Sequence, residues 1–343
     1  MKVLFYLLDG DTNASSYHRA LQFFPFLRRH GIEPCASRPV PQHLYARLAE
    51  GDARPASVKL GYYALFLARR TLHVQYAQRA DVVVVQRDLF PFGPALLESL
   101  LRRRNPRLVY DTDDATYLKP SFTPATVFQH LRRFDKVADV VRCARWVSVA
   151  TEPIALWARR YNPRVTVVPM AVDLARYEAV RRPTGAGPSP LVIGWAGTAG
   201  GLGYLEALAP VLREIARQHA VVVRVISGGY RRVRLPGVPV DARPWRPDEH
   251  LADIASFDIG LVPLHDSPFE QAKFPFKLLQ YLALGIPTVS ARLGVAARVI
   301  RSAENGLLAG SPEEWHAALT HLITDARLRR RLAEAGRDTV ASQ

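Results

Sequence analysis

Lys273-Phe-Pro-Phe-Lys277-Leu-Leu-Gln280-Tyr-Leu-Ala-Leu-Gly-Ile-Pro287 is the stretch from which the rest of the chain is best read. Pro275 suits the first turn of a helix, where its missing N–H costs nothing. Gly285 reads as a left-handed C-terminal cap, and Pro287 bars continuation. The stretch therefore predicts a helix of about three turns, entered from the loop after a strand at 257–262. Lys277 and Gln280 share a face, while Leu278, Leu279 and Leu282 can pack toward a sheet. A helix N-terminus flanked by Lys273 and Lys277 suits a diphosphate, since free N–H groups and ammonium charges act together. An amphipathic helix whose lysines face water fits the same letters.

Outward from this stretch, short apolar runs alternate with helix-length segments, the pattern of doubly wound α/β domains. Strands are expected at 2–8, 81–86, 107–111, 145–150 and 164–168, then again at 191–196, 221–227, 257–262 and 287–290. Helices are expected around 16–30, 57–79, 94–104, 125–142 and 152–161. Arg181-Arg-Pro-Thr-Gly-Ala-Gly-Pro-Ser-Pro190 has the composition of a linker. The expected organisation is two Rossmann-like doubly wound domains, 1–172 and 191–343, joined by a linker at 173–190 and facing a central cleft. Ligands of open parallel sheets bind at the carboxyl ends of the strands, so informative residues should follow strands directly.

The 343 residues, 48% hydrophobic, are comfortable for two cores. The longest apolar runs, such as Asp81-Val-Val-Val-Val-Gln86, are strand length and fall short of a membrane span. The opening Lys2-Val-Leu-Phe-Tyr-Leu-Leu8 lacks the longer apolar region of a signal peptide. Cys35 and Cys143 are the only cysteines and have no metal-like spacing, so a reducing cytoplasm is the expected compartment. A net charge of +15 asks for a partner: nucleic acid, anionic lipid or a phosphorylated small molecule. No zinc-finger spacing or RNP-type aromatic motif is present, so nucleic acid is set aside. An arginine-rich surface set by genome composition would also give this charge. Only six lysines occur, and Lys273 and Lys277 are two of them.

The segment Lys277-Leu-Leu-Gln280-Tyr-Leu-Ala-Leu-Gly-Ile-Pro287 resembles the signature region of glycosyltransferase family 4. Three further stretches are similar to that family in order and spacing: Val167-Val-Pro-Met-Ala-Val-Asp173, Ile193-Gly-Trp-Ala-Gly-Thr198 and Phe257-Asp-Ile-Gly-Leu-Val-Pro-Leu264. The resemblance implies the two-domain GT-B fold, an N-terminal acceptor side and a C-terminal domain for a nucleoside-diphosphate sugar. It implies that Lys277 contacts the donor diphosphate and that position 280 holds the ribose. Gln280 stands where the family has Glu; it can still hydrogen-bond a ribose without charge assistance. Many relatives carry an Arg just after the glycine strand, where Trp195-Ala-Gly197 stands here, and Lys273 is expected to supply that second charge. Gly194, Gly197, Gly200, Gly201 and Gly203 make a Gly-rich strand-to-helix turn that a phosphate can approach, with the Thr198 hydroxyl beside it. Ser227-Gly228-Gly-Tyr230 fits either part of a nucleobase pocket or a plain turn. Glu270 and Asp266 are candidates for contact with sugar hydroxyls.

On the acceptor side, Asp9-Gly-Asp-Thr-Asn-Ala-Ser-Ser16-Tyr-His18-Arg19 leads from the first strand into a capped helix. In relatives this loop borders the acceptor, which makes Ser16, His18 and Arg19 acceptor-side candidates; plain surface residues on a first helical turn are the alternative. Tyr110-Asp-Thr-Asp113-Asp114 allows three readings: Mg²⁺ ligands, a carboxylate beside the acceptor hydroxyl, or turn caps. The acceptor-side reading is preferred, because GT-B relatives usually work without a metal. The expected activity is retaining, metal-independent sugar transfer from a sugar nucleotide, with no cofactor, to a glycan or lipid-linked hydroxyl in bacterial glycan biosynthesis. Lys277, Asp113, Asp114 and His18 are its expected catalytic residues. Ser57–Arg79 is basic and apolar enough to touch an anionic membrane at the inner face, although an ordinary amphipathic helix reads the same way. A degenerate nucleotide-binding relative and a sugar-nucleotide epimerase of the same architecture are the rivals; Gln280 favours the first, and no convincing acid/base set supports the second.

Overall fold

The computed structural model describes residues 1–11, 13–49, 56–121, 131–180, 190–246 and 248–342. They form two compact units, Met1–Met170 and Ala171–Gln343. In the first, β1 (Lys2–Tyr6), β2 (Glu33–Ser37), β3 (Val82–Gln86), β4 (Leu108–Thr112), β5 (Trp146–Val149) and β6 (Val165–Val167) build one sheet in the order β2-β1-β3-β4-β5-β6. Every pairing is parallel, with Val3 opposite Val82 and Val83 opposite Leu108. Parallel neighbours need crossovers, which helices such as Ala56–His73, Leu96–Arg104 and Lys136–Cys143 supply. Tyr6, Val83, Val85, Leu101 and Leu108 close one buried cluster.

The second unit repeats the plan with β7 (Leu191–Ala196), β8 (Val221–Ile226), β9 (Val240–Arg243), β10 (Ile259–Val262), β11 (Thr288–Ala291) and β12 (Leu307–Ala309), in the order β12-β11-β10-β7-β8-β9. These pairings are parallel too. Ile193, Trp195, Val223, Val225, Ile259 and Leu261 form its buried centre with Leu212, Ile215 and Leu319. The winding direction reverses between β1 and β3 in the first unit and between β7 and β10 in the second. Loops at the carboxyl ends of those strand pairs are where a doubly wound sheet holds its ligand.

Both units are thus doubly wound α/β, as the alternation of the sequence predicts. Three strands escape that reading: β2, β9 and β12, all at sheet edges. An edge strand needs no continuous apolar run, and β2 even accommodates Pro34. The helix expected at 16–30 is divided into Ala14–Arg19, a 3-10 turn at Leu21–Phe23 and Phe24–Arg29. Pro25 has no N–H to continue a preceding helix, so it begins a new one. The segment 57–79 is α-helical to His73 and then 3-10 over Val74–Arg79. Of the helix expected at 125–142, Lys136–Cys143 is formed and 122–130 lies outside the described residues. Within the segment read as a linker, Leu174–Glu178 is helical, and 181–189 lies outside the described residues. The signature helix is Phe276–Ala283, about two turns rather than three. Gly285 follows it at φ +64°, the left-handed cap that a side chain would strain.

Candidate functional site

In the second unit, the turn after β7 and the helix that follows the β10 loop bring the expected donor residues together. Lys277 lies on the first turn of Phe276–Ala283, and its Nζ is 4.2 Å from the centroid of the Trp195 ring. Trp195 is fully buried in β7. A Cβ at position 197 would stand 2.6 Å from the Trp195 ring and 3.2 Å from the Lys277 Nζ, so this strand end must be glycine. Among the described residues, the Lys277 ammonium has neither a hydrogen bond nor an ion pair. Burial, and secondarily the Lys273 ammonium, push it well below the ordinary lysine value. An anion placed beside it would act the other way and favour its charged form. Lys273 closes the preceding helix, Pro268–Ala272, and has its Nζ 5.8 Å from the Phe269 ring centroid. Thr198 is exposed and opens the 3-10 turn Ala199–Gly201.

The loop after β8 lies directly on that turn. A Cβ on Gly229 would stand 2.6 Å from the Ala199 Cβ and 3.0 Å from its Cα, whereas one on Gly228 meets nothing within 4 Å. Close packing against Ala199 therefore requires glycine at 229, while Gly228, the expected donor-side residue, faces open space. Ser227 anchors the loop by accepting the Gly229 N–H at 3.0 Å.

Two other expected donor residues are engaged inside the protein. Gln280 is buried, and its Nε2 donates to the Tyr177 hydroxyl at 3.2 Å. Its Oε1 retains acceptor capacity for a hydroxyl. Glu270 is fully buried and accepts from the hydroxyls of Tyr204 and Ser267. Asp266 accepts from Gln271 Nε2 at 2.6 Å.

In the first unit, Asn13 caps the helix Ala14–Arg19 by accepting the Ser16 N–H at 3.1 Å. Ser16 is buried, and its hydroxyl accepts the Asp9 N–H at 3.3 Å. His18 is buried with its ring edge-on to Tyr17, centroids 5.0 Å apart. Arg19 is not on the surface: its side chain is 4% exposed and ion-paired to Asp111. Its remaining donors reach the Val168 carbonyl at 2.6 Å and the Ser148 hydroxyl at 3.1 Å. It holds β4, β5 and the first helix together.

Asp113 and Asp114 both accept from Arg87. Arg87 Nη2 is 2.7 Å from Asp113 Oδ1 and 2.6 Å from Asp114 Oδ2, and Ser15 donates to Asp113 at 2.7 Å. Burial alone would raise the Asp113 carboxyl, but Arg87, Ser15 and Arg19 hold it below the usual carboxylate range. Such a group positions better than it accepts a proton. Arg87, which sequence reasoning passes over, sits at φ 57° at the end of β3. A non-glycine residue there costs on the order of 1–3 kcal/mol, and such strain clusters at functional sites. Its signal is positional: it directly follows a switch-point strand. Asp9, quoted above only as part of a loop, accepts from the Tyr62 hydroxyl at 2.8 Å. Burial pushes its carboxyl up to about 6, against that hydrogen bond and the charges of Arg70 and Arg87. Among the described residues, no group of three or more His, Cys, Asp or Glu side chains is placed to hold a metal ion.

Residues 193–325 match the family described as Glycosyl transferases group 1. A lipopolysaccharide core biosynthesis glycosyltransferase of Rhizobium meliloti (strain 1021), LpsE, is 31% identical over 114 residues. That match covers 33% of this chain and 30% of the relative's own length. A sucrose-phosphate synthase from Thermosynechococcus elongatus has a TM-score of 0.71 at 16% identity, covering 100% of this chain and 94% of that one. The Anabaena HepE protein, solved with UDP and glucose, has a TM-score of 0.69 at 14% identity, covering 100% of this chain and 95% of that one. The chain resembles group 1 glycosyl transferases, and its two Rossmann-like units are those of the GT-B fold.

Proposed function

We propose that this chain transfers a hexosyl group from a nucleoside-diphosphate sugar to a hydroxyl acceptor, with retention of configuration and without a catalytic metal, in bacterial glycan or glycoconjugate assembly. The observation that carries this reading is the Lys277 ammonium beside Gly197, unpaired among the described residues, at the β7–β10 switch point of the region matching group 1 glycosyl transferases. Breaking the sugar–phosphate bond builds negative charge on the diphosphate. Lys277, Lys273 and the N–H groups of Thr198, Ala199 and Gly200 would meet that charge as it develops, which is where binding accelerates a reaction; those of Gly197 and Gly201 are already donated to Ile226 and Thr198. Gln280 would take one ribose hydroxyl through Oε1 while its amide nitrogen stays on Tyr177. On the acceptor side, Asp9 is the carboxylate suited to orient a hydroxyl, while Asp113 and Asp114 act through Arg87. Retention follows from the resemblance to family 4, and a UDP sugar is the first donor to try because HepE was solved with UDP.

The test is a thermal-shift series with UDP-, GDP-, ADP- and TDP-sugars, wild type against Lys277→Ala, with EDTA present throughout. One donor should raise the wild-type melting temperature by about 3 °C or more at concentrations well above its Kd, and the variant should show little or no shift. Stabilisation by no donor, or equal stabilisation of both proteins, overturns the assignment.

A further inference from the structure

We propose that Trp195 is a positioning residue of the donor site: its indole face, in place of a carboxylate, holds the Lys277 ammonium beside Gly197 and leaves its three N–H groups for an incoming diphosphate. The inference rests on the donor reading for its ligand, but not for its geometry. Lys277 Nζ stands 4.2 Å from the Trp195 ring centroid, and tryptophan is the best aromatic partner for a cation, most effective when both are desolvated. The ring is wedged beneath the turn: a Cβ at Gly197 would be 2.6 Å from it and one at Gly201 3.3 Å. The indole N–H has no hydrogen-bond partner among the described residues, so the ring's contribution here is its face and its bulk.

The choice of partner has a chemical consequence. A carboxylate would also keep Lys277 in place, but it would compete with the diphosphate for the same N–H groups. A neutral π face steadies the cation without competing. Around Lys277 stand Trp195 from β7, Gly197 from the turn and Lys273 from the preceding segment, which is the charged group acting on it. Burial and Lys273 oppose its charge; the ring face partly offsets them. Binding a diphosphate then draws a proton onto whatever fraction of Lys277 is neutral, and affinity falls as pH rises.

Lysine ¹³Cε NMR titration reads this directly, because the chain has only six lysines and Lys277→Met identifies the resonance. Trp195→Leu should lower the Lys277 midpoint by about one pH unit, while Trp195→Phe keeps most of it. Calorimetry with UDP and with inorganic pyrophosphate at pH 7.5 should show about tenfold weaker binding for Trp195→Leu and at most about threefold for Trp195→Phe. The Trp195→Leu deficit should shrink at pH 6, where a larger fraction of the lysine is charged than at pH 7.5. An unchanged Lys277 midpoint in folded Trp195→Leu overturns the proposal. So does equal loss of affinity in both variants at both pH values, which would mark a structural role alone. If the midpoint moves as expected but wild type binds neither probe, the positioning role stands and the donor reading falls.

Discussion

Asp9 shows how a single carboxylate can carry a cost that its contacts do not reveal. It accepts a hydrogen bond from Tyr62 and lies near Arg70 and Arg87, all of which favour its charged form, yet burial wins and lifts it to about 6. A carboxyl raised in the fold binds its proton more tightly there than in the unfolded chain, where it titrates near ~3.9. The charged form therefore costs stability: nothing well below pH 4, progressively more between about 4 and 6, and the full amount above about 6. Asp9→Asn keeps an oxygen for Tyr62 and removes the charge. It should stabilise the protein by about 2–3 kcal/mol at pH 7.5, falling to roughly a third of that at pH 4.5, as read from urea unfolding at the two pH values. An equal effect at both would mean that Asp9 is not the titrating group. If Asp9 also orients the acceptor, the stabler variant loses transfer, the trade-off expected of a strained site. Residue types were legible here and their partners were not. Lys277 and Gly197 stand out as letters, but the indole between them, the Arg87 bridge to Asp113 and Asp114, and the Gln280–Tyr177 bond join positions far apart in the chain.

Elements were most legible where they are buried on both faces. β3, β8 and β10 announce themselves as apolar runs because parallel sheets bury both sides of their inner strands. The edge strands β2, β9 and β12 lack that signal and went unread. Loop against loop is harder still. The turn after β7 and the loop after β8 meet through Gly229 and Ala199, and nothing in either stretch marks which of two adjacent glycines faces the other turn. The contrast between those glycines makes the contact testable. Gly229→Ala drives its Cβ to 3.0 Å from the Ala199 Cα, so the turn itself must shift; a destabilisation of about 1–3 kcal/mol and weaker UDP binding are expected. Gly228→Ala, with open space around its Cβ, should stay within about 0.5 kcal/mol of wild type with unchanged UDP affinity. Parallel unfolding curves and calorimetry check both. Equal behaviour of the two variants would show that the two loops do not support each other.

At the scale of the whole molecule, charge and exposed apolar surface are both unevenly shared. Met1–Met170 hold 25 Lys and Arg against 14 Asp and Glu, while the remainder is nearly balanced at 21 against 17. Among the described residues, every strongly exposed large apolar side chain except Val240 also lies in the first unit. The helix Ala56–His73 concentrates them: Leu60 is 65% exposed and Leu72 60%, with Val58, Leu65 and Leu67 also out in solvent. None of the described helices is long and apolar enough to cross a membrane. A basic unit with an apolar helix on its surface has the two attractions that hold a protein at an anionic interface, one screened by salt and one not. Scattered apolar residues alone would need no explanation, but a run of them on one helix does. Co-sedimentation should therefore show binding to phosphatidylglycerol-rich vesicles at low salt, weaker binding at 0.5 M salt, and little to pure phosphatidylcholine. Leu60→Glu with Leu72→Glu should cost at least about tenfold in vesicle affinity, since two partly inserted leucines contribute on the order of 2 kcal/mol and two like charges repel the surface. Both positions are exposed, so the melting temperature should hold, and UDP binding by the second unit should be unchanged. Unaltered vesicle binding in that variant would mean that the positive charge attracts the surface without this helix, and equal binding to both lipids would remove the electrostatic half of the argument.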